Sequence, residues 1–173
     1  AGKKVGYLKN ILGGKKLIIR AMPNTPAKIG NGITALYCSP IIIGKYRKIV
    51  NLLFSSTGEV LWLKKESDMD IVTAISGSGP AYVFKFIEAL IESSINAGLD
   101  LQTSRTLVKH TLFGASKLAL ESDISPKKLR IEVTSPGGTT EAAIKILEKR
   151  DQFNKIINLA INAAIKKSIN LSS

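Results

Sequence analysis

The segment that follows Pro80 carries Val83, Phe84, Phe86, Ile87, Leu90, Ile91 and Ile95, an apolar helical pattern wider than the single stripe a helix turns toward one core. A helix that is apolar over most of its circumference has to be covered from two sides. A chain of 173 residues supplies one sizeable core and part of a second domain, which is too little to surround that helix alone. A second copy of the chain is the natural other side, and a central helix of a monomeric bundle is the alternative reading of the same residues.

The punctuation divides the chain. From Ser67 onward the pattern is helical almost without interruption. Ser67 with Asp70 resembles a capping box in which Asp replaces the usual Glu or Gln. Pro80 sits where a first-turn proline is tolerated, and its helix is predicted to run to about residue 97, with Gly98 as the C-terminal stop. Further helices are predicted over 101–121, from Ser125-Pro126 to about 133, from Gly138 or Thr139 to 149, and from an Asp151 cap to about 170. Before Ser67 the pattern mixes types. Residues 5–12 read as a short helix closed by Gly13-Gly14, and 17–22 as a compact apolar run of strand length that Pro23 stops. A second short strand is expected at 33–37, a helix at 40–56 with Tyr46, Ile49, Val50, Leu53 and Phe54 as its stripe, and a brief strand at 58–63. Helix, glycine turn, buried strand and loop is the rhythm of a parallel nucleotide-binding sheet seen from its last part.

Composition excludes several classes. With 45% apolar residues the chain is not disordered, and no apolar run approaches the roughly 20 residues of a membrane span or the core of a signal peptide. The expected setting is the cytoplasm, with no membrane partner. Cys38 is the single cysteine, read as a small buried thiol. A net charge of +12 invites a polyanionic partner. The charges are nevertheless scattered as pairs such as Lys3-Lys4, Lys15-Lys16, Lys64-Lys65, Lys127-Lys128 and Lys166-Lys167, and no nucleic-acid signature accompanies them, so no nucleic-acid partner is expected.

Two small-residue turns open helical segments: Ser76-Gly-Ser-Gly-Pro-Ala-Tyr82 and Thr134-Ser-Pro-Gly-Gly-Thr-Thr140. A helix opening carries unpaired N–H groups, so two such turns suit an anion. In the first, glycine permits close backbone approach at Gly77 and Gly79, Ser76 and Ser78 add hydroxyl donors, and Pro80 fixes where the helix begins. A kinked helix joint capped by the serines explains the same residues. In the second, Gly137-Gly138 permits a tight turn, while Thr139 and Thr140 act as caps or as ligands. Upstream, Met22-Pro23-Asn24-Thr25-Pro26-Ala27 follows a predicted strand and so lies at the carboxyl edge of the sheet, where nucleotide cofactors bind. Asn24 is able to pair with a carboxamide through donor and acceptor at once, and a Pro-rich loop that merely ends the strand is the plainer reading.

These three segments, in this order and spacing, resemble pyrroline-5-carboxylate reductases, and the likeness runs from Ala1 to about Ser168. The resemblance implies a mainly α fold, a helical dimerisation domain of the 6-phosphogluconate-dehydrogenase-like C-terminal type over 65–173, preceded over 1–64 by an incomplete α/β Rossmann-type remnant. It implies an NAD(P)H-dependent oxidoreductase acting on a C=N bond, reducing 1-pyrroline-5-carboxylate to L-proline in the last step of proline biosynthesis, with NADPH or NADH as cofactor. Ser76, Gly77, Ser78, Gly79, Pro80, Gly137, Gly138, Thr139 and Thr140 are then substrate-binding, the second loop closing near the ring nitrogen with Thr140 as its better ligand. Met22, Pro23, Asn24 and Thr25 border the nicotinamide, and Ala1-Gly2 falls where the preceding strand leaves the cofactor groove. Intertwined C-terminal helices imply a homodimer, a higher oligomer of dimers being left open.

No Gly-x-Gly-x-x-Gly follows a strand; the stretches at Gly30 to Gly32 and Gly77 to Gly79 lack the third glycine. Against the family's pattern the chain begins part-way through the nucleotide-binding domain, lacking roughly 100 residues of its first βαβ units, so these residues alone are expected to bind dinucleotide poorly and turn over little. A related imine or keto-acid reductase of the same plan, or a non-catalytic helical dimerisation remnant, stays open. His110 has no second histidine or cysteine to share a metal and reads as a surface residue; no metal is expected. Glu66, Asp68 and Asp70 precede the first turn, where one could orient a substrate proton, but helix N-terminal acids are common for dipole reasons, and no residue is assigned as a catalytic acid.

Overall fold

The computed structural model describes residues 2–14, 16–38 and 43–171. Ala1, Lys15 and Pro40 therefore lie outside the described residues, as does the start expected for the helix over 40–56. By its contacts the chain divides into two compact units, Ala1–Tyr82 with Asn158–Ser173, and Val83–Ile157.

In the first unit, helix α1 (Val5–Leu12) is followed by strand β1 (Ile19–Met22), a 3-10 turn (Thr25–Ile29), strand β2 (Gly32–Cys38), helix α2 (Ile43–Ser55) and strand β3 (Gly58–Trp62). Helix α3 (Asp68–Val72) then runs through a π-helical turn (Thr73–Gly77) into helix α4 (Gly79–Asn96). The sheet order is β1-β2-β3, β1 pairing antiparallel with Ala21 opposite Leu36, and β3 pairing parallel with Leu61 opposite Ala35. This corrects the wholly parallel sheet expected from the sequence. The short link between β1 and β2 returns the chain through a tight 3-10 turn, whereas a parallel crossover needs a dozen residues or more. Between β2 and β3 the helix α2 supplies that crossover.

Leu36 and Met69 are fully buried, Thr34, Ala35, Cys38 and Ala74 are buried in the same unit, and α3 packs on β2. Burial pushes the Cys38 thiol above its ordinary pKa, against the pull of Arg47. The run expected to be a buried apolar strand is only partly so. Leu17 is exposed, and buried Arg20 pairs with Glu66 at 3.2 Å. Glu66 Oε1 also accepts the Val5 N–H at 2.7 Å, giving α1 the N-terminal partner its own Lys4 does not provide. On α2, Tyr46, Val50 and Phe54 are half-buried while Ile49 and Leu53 are exposed, so only one side of the predicted stripe is covered where α2 packs on β3.

The Ser67–Asp70 capping box does not form. Ser67 has helical φ and ψ and caps nothing, and its hydroxyl reaches Asp68 Oδ1 at 3.5 Å. Asp70 is buried and accepts the hydroxyl of Ser168 at 2.6 Å, from helix α8 (Gln152–Leu171). This bond, and the packing of α3 on β2, place residues 65–82 with the sheet by contact, beyond the 64/65 division expected from the sequence.

The second unit holds the rest of α4, helix α5 (Leu101–Glu121), helix α6 (Pro126–Glu132), helix α7 (Thr139–Glu148) and the first residues of α8. Local chemistry sets these bounds as the sequence predicts. Gly98, at φ +106, ends α4 in a Schellman arrangement, with the Gly98 N–H on the Ile95 carbonyl and the Leu99 N–H on that of Ser94. Asp100 caps α5 by accepting the Thr103 N–H at 2.9 Å, and hydrogen bonding from the Thr103 side chain, with this backbone bond second, holds its carboxyl below the usual range. Ser125 caps α6 through the Lys128 N–H. Asp151 departs from expectation. It lies at φ +57 beside Arg150 at φ +54, and its carboxylate accepts from the Asn154 side chain at 2.6 Å.

Replacing Ser168 with Ala leaves the buried Asp70 carboxylate short of a donor, and is expected to cost about 1–3 kcal/mol. Urea denaturation at fixed protein concentration checks this; an unchanged midpoint would show that the bond contributes nothing.

Candidate functional site

Met22 ends β1, and the chain leaves the sheet there because Pro23 has no N–H to offer the ladder. Asn24 follows in extended backbone, and its carbonyl accepts the Ala27 N–H at 3.2 Å to start the 3-10 turn. The Asn24 side chain does two further things. Its Oδ1 accepts the Ile33 N–H at 3.0 Å, closing the loop on the start of β2, and its Nδ2 reaches Ser76 Oγ at 3.5 Å. The carboxamide expected to pair with a ligand is therefore engaged with the chain itself. Pro23 and Thr25 on either side are exposed.

The Ser76–Gly79 segment is a π-turn rather than a free loop. The Ser78 N–H donates to the Thr73 carbonyl five residues back at 2.8 Å, and the Thr73 hydroxyl donates to the Met69 carbonyl at 2.7 Å. Single π-turns inside helices are frequent at functional sites. The Ala81 N–H donates to the Ser78 carbonyl at 3.0 Å, so two backbone donors expected to face an anion are spent within the turn. Ser76, Gly77, Ser78, Gly79 and Pro80 are all half-buried. A Cβ on Gly77 would collide with the Met22 methyl, the end of a flexible side chain that would have to move, whereas a Cβ on Gly79 would meet nothing within 4 Å. The structure thus brings Met22 and Asn24 together with Ser76 and Gly77, across a seam whose two sides are far apart in sequence.

The second loop belongs to the other unit. Gly137 lies at φ +71, its N–H donating to Glu141 Oε2 at 3.0 Å, and the Gly138 N–H donates to the Ser135 carbonyl at 3.0 Å. Gly138 is the N-cap of α7 and has no side chain to cap with, which leaves the first-turn N–H groups without a hydroxyl partner. Thr139 is exposed and Thr140 half-buried at that opening. Glu141 reaches back to Gly137 and pairs with Lys145 at 3.1 Å.

Of the smaller candidates, Glu66 and Asp70 are occupied structurally, by Arg20 and Ser168. His110 is exposed. Among the described residues there is no cluster of three His, Cys, Asp or Glu side chains and no helix long and apolar enough to cross a membrane. Sequence reasoning missed the Asn24–Ile33, Asn24–Ser76 and Arg20–Glu66 contacts. Only the polar Arg20 inside an apolar run signalled any of them.

Residues 66–171 match the family model described as pyrroline-5-carboxylate reductase dimerisation. The chain is 39% identical over 172 residues to a pyrroline-5-carboxylate reductase of Pseudomonas aeruginosa, covering 99% of this chain and 63% of that protein. A pyrroline-5-carboxylate reductase structure from Coxiella burnetii superposes with a TM-score of 0.95 at 36% identity, over 100% of this chain and 64% of that one. The Plasmodium falciparum pyrroline carboxylate reductase with NADP bound gives a TM-score of 0.90 at 37% identity, over 99% and 65%. The chain therefore spans less than two thirds of the length of these relatives.

The two glycines of the π-turn are expected to respond differently to a methyl group. Gly79→Ala should leave stability within about 0.5 kcal/mol, and Gly77→Ala, which must displace Met22, should cost about 1 kcal/mol. Urea midpoints of the two variants check this contrast, and equal midpoints would remove the steric role given to Gly77.

Proposed function

The chain belongs to the pyrroline-5-carboxylate reductase family, and from that premise we propose that the protein carrying these residues reduces 1-pyrroline-5-carboxylate to L-proline with NADPH or NADH, the last step of proline biosynthesis. It acts as a homodimer in the cytoplasm, with residues 1–64 on the nucleotide side and 65–173 as the dimerisation and substrate module. The start of the family match at residue 66 supports that division. The observation that carries the proposal is the seam where Met22 and Asn24, after β1, meet Ser76 and Gly77 of the π-turn; in this reading the first side serves the nucleotide and the second the substrate.

The loop Met22, Pro23, Asn24 and Thr25 suits the nicotinamide end of a dinucleotide, because Pro23 and Thr25 stand exposed beyond the carboxyl end of β1. The NADP of the Plasmodium falciparum relative supports the choice of dinucleotide. When bound, the reduced dinucleotide supplies the hydride for the imine carbon. The chain's own residues hold the imine. Ser76 and Ser78 offer hydroxyl donors to its carboxylate, Gly77 and Gly79 keep the backbone approachable, and Pro80 sets the start of α4. Gly137 and Gly138 shape the second loop, where Thr139 and Thr140 present hydroxyls at the opening of α7. An imine that arrives protonated needs no acid from the chain, so positioning is what these residues contribute.

The dimer rests on uncovered apolar surface. No residue of α4, α6 or α7 is buried, and on α4 Val83 is 51% and Phe84 57% exposed. The cost of leaving such faces in water favours a second copy.

Intact protein supplied with 1-pyrroline-5-carboxylate and NADPH or NADH is expected to form proline with loss of dinucleotide absorbance. A folded intact preparation that forms none rejects the proposal. Gly79→Val is expected to abolish binding of proline and leave dinucleotide affinity near the parent's, while Thr140→Ala should cost about 1.5–3 kcal/mol, roughly 10- to 150-fold. Val83→Asp, at an exposed position, is expected to raise the dimer dissociation constant at least about tenfold, about 1.4 kcal/mol, in sedimentation measurements. A parent that stays monomeric at micromolar concentration would defeat the assembly.

A further inference from the structure

We propose that Met22 is a site of reversible oxidation by peroxides, and that its sulfoxide parts the seam between the loop after β1 and the π-turn and so weakens dinucleotide binding. The effect on the dinucleotide rests on the reductase reading above, whereas the choice of Met22 rests on burial and packing.

These 173 residues carry three sulfur-bearing side chains, Met22, Cys38 and Met69. Two are shut away. Met69 is fully inaccessible in the core and Cys38 is 4% exposed. Burial also raises the Cys38 pKa, which keeps that side chain as the thiol, the less nucleophilic form. Met22 alone of the three is half-buried, at the end of β1 beside the exposed Pro23. A thioether has no acidic proton to lose, so access to the oxidant governs how fast it reacts.

The Met22 methyl occupies the space that a Cβ on Gly77 would need, an apolar contact between segments far apart in sequence. In the oxidation one peroxide oxygen bonds to sulfur as the O–O bond breaks, and its hydrogen passes to the departing oxygen. Sulfur gives up two electrons, and the peroxide leaves as water or an alcohol. The sulfoxide oxygen sits on the atom next to that methyl, polar where the thioether was apolar. It is drawn to water or to the donors of the seam, the Asn24 amide and the Ser76 hydroxyl, whose own contact is long at 3.5 Å. Either course pulls the methyl from Gly77 and shifts the loop that borders the nicotinamide. Two thiols of a methionine sulfoxide reductase reverse the step, giving back the thioether and releasing water as they join in a disulfide.

Hydrogen peroxide treatment of the intact protein tests this, with peptide mass spectrometry at each sulfur, proline formation and the dinucleotide KM as readouts. Met22 is expected to oxidise at least about tenfold faster than Met69 or Cys38. Activity at limiting dinucleotide should fall in step with the Met22 sulfoxide, and the dinucleotide KM should rise roughly tenfold. Saturating NADP+ should slow oxidation at Met22. Methionine sulfoxide reductase with dithiothreitol should restore activity and dithiothreitol alone should not, which separates this site from an oxidised thiol and needs no variant. Met22→Leu, close in volume, sets its own untreated baseline and should keep most of that activity at a peroxide dose that inactivates the parent. An untreated parent that forms no proline overturns the reductase reading and the effect on the dinucleotide with it. An active parent overturns this inference alone if Met69 or Cys38 oxidises as fast as Met22, if activity does not follow the Met22 sulfoxide, if dithiothreitol alone restores it, or if Met22→Leu is inactivated equally.

Discussion

The buried hydrogen bond from the Ser168 hydroxyl to the Asp70 carboxylate, 2.6 Å long and spanning 98 residues, is the contact on which the arrangement around the π-turn depends. A carboxylate out of water needs donors, and this one takes its donor from the last helix. Asp70 lies in α3, whose Met69 is fully inaccessible and which packs on β2, so the bond joins the last helix to the segment that packs on the sheet. Four residues earlier Glu66 ties the start of α1 and Arg20 of β1 to the same stretch of chain. The two acids, one helical turn apart, fix the approach to the π-turn before the turn begins.

Helix ends governed by near neighbours were legible in the sequence. Ser125 acts as a cap and Gly98 as a stop because each bonds within its own turn, and Asp100, a cap the sequence reading did not name, does the same. Where a polar residue answers to something remote, local rules mislead. Asp70 matches a capping box three residues from Ser67, yet its partner is Ser168. Asn24 reads as a free carboxamide, yet Ile33 and Ser76 claim it. The serines and glycines of the candidate site were recognisable by type and spacing, but a π-turn differs from an α-turn by a single hydrogen-bond step, which apolar periodicity does not record. Strand direction was lost for a different reason. Composition is blind to it, and the short link after β1 carried the information instead.

Exposed apolar residues on α4, α5 and α7 give this chain an unusual balance between its parts. The sheet unit has a core of its own around Leu36, Met69 and Ala74, whereas α5 buries only Ser104 and Val108, and α4 and α7 bury nothing. In the homodimer proposed above, stability of the helical portion would depend on protomer concentration. The scattered lysines, at a net charge of +12, keep such faces from associating without specificity.

The π-turn stores one residue more than an α-helix would use between α3 and α4. Loss of a single codon there would let the helix run on without interruption, and everything beyond would swing by about 100° around the axis. Most helices would not survive such a rotation, because a polar face would be driven inward. In α4 the swing would carry Lys85, Glu88 and Glu92, which share one side of its 18 residues, to where apolar residues now stand. Ser78 and Gly79 stand at the pivot and would be re-aimed with it. The turn therefore fixes two things at once, the aim of Ser78 and Gly79 and the side that α4 presents, and a deletion there would alter both.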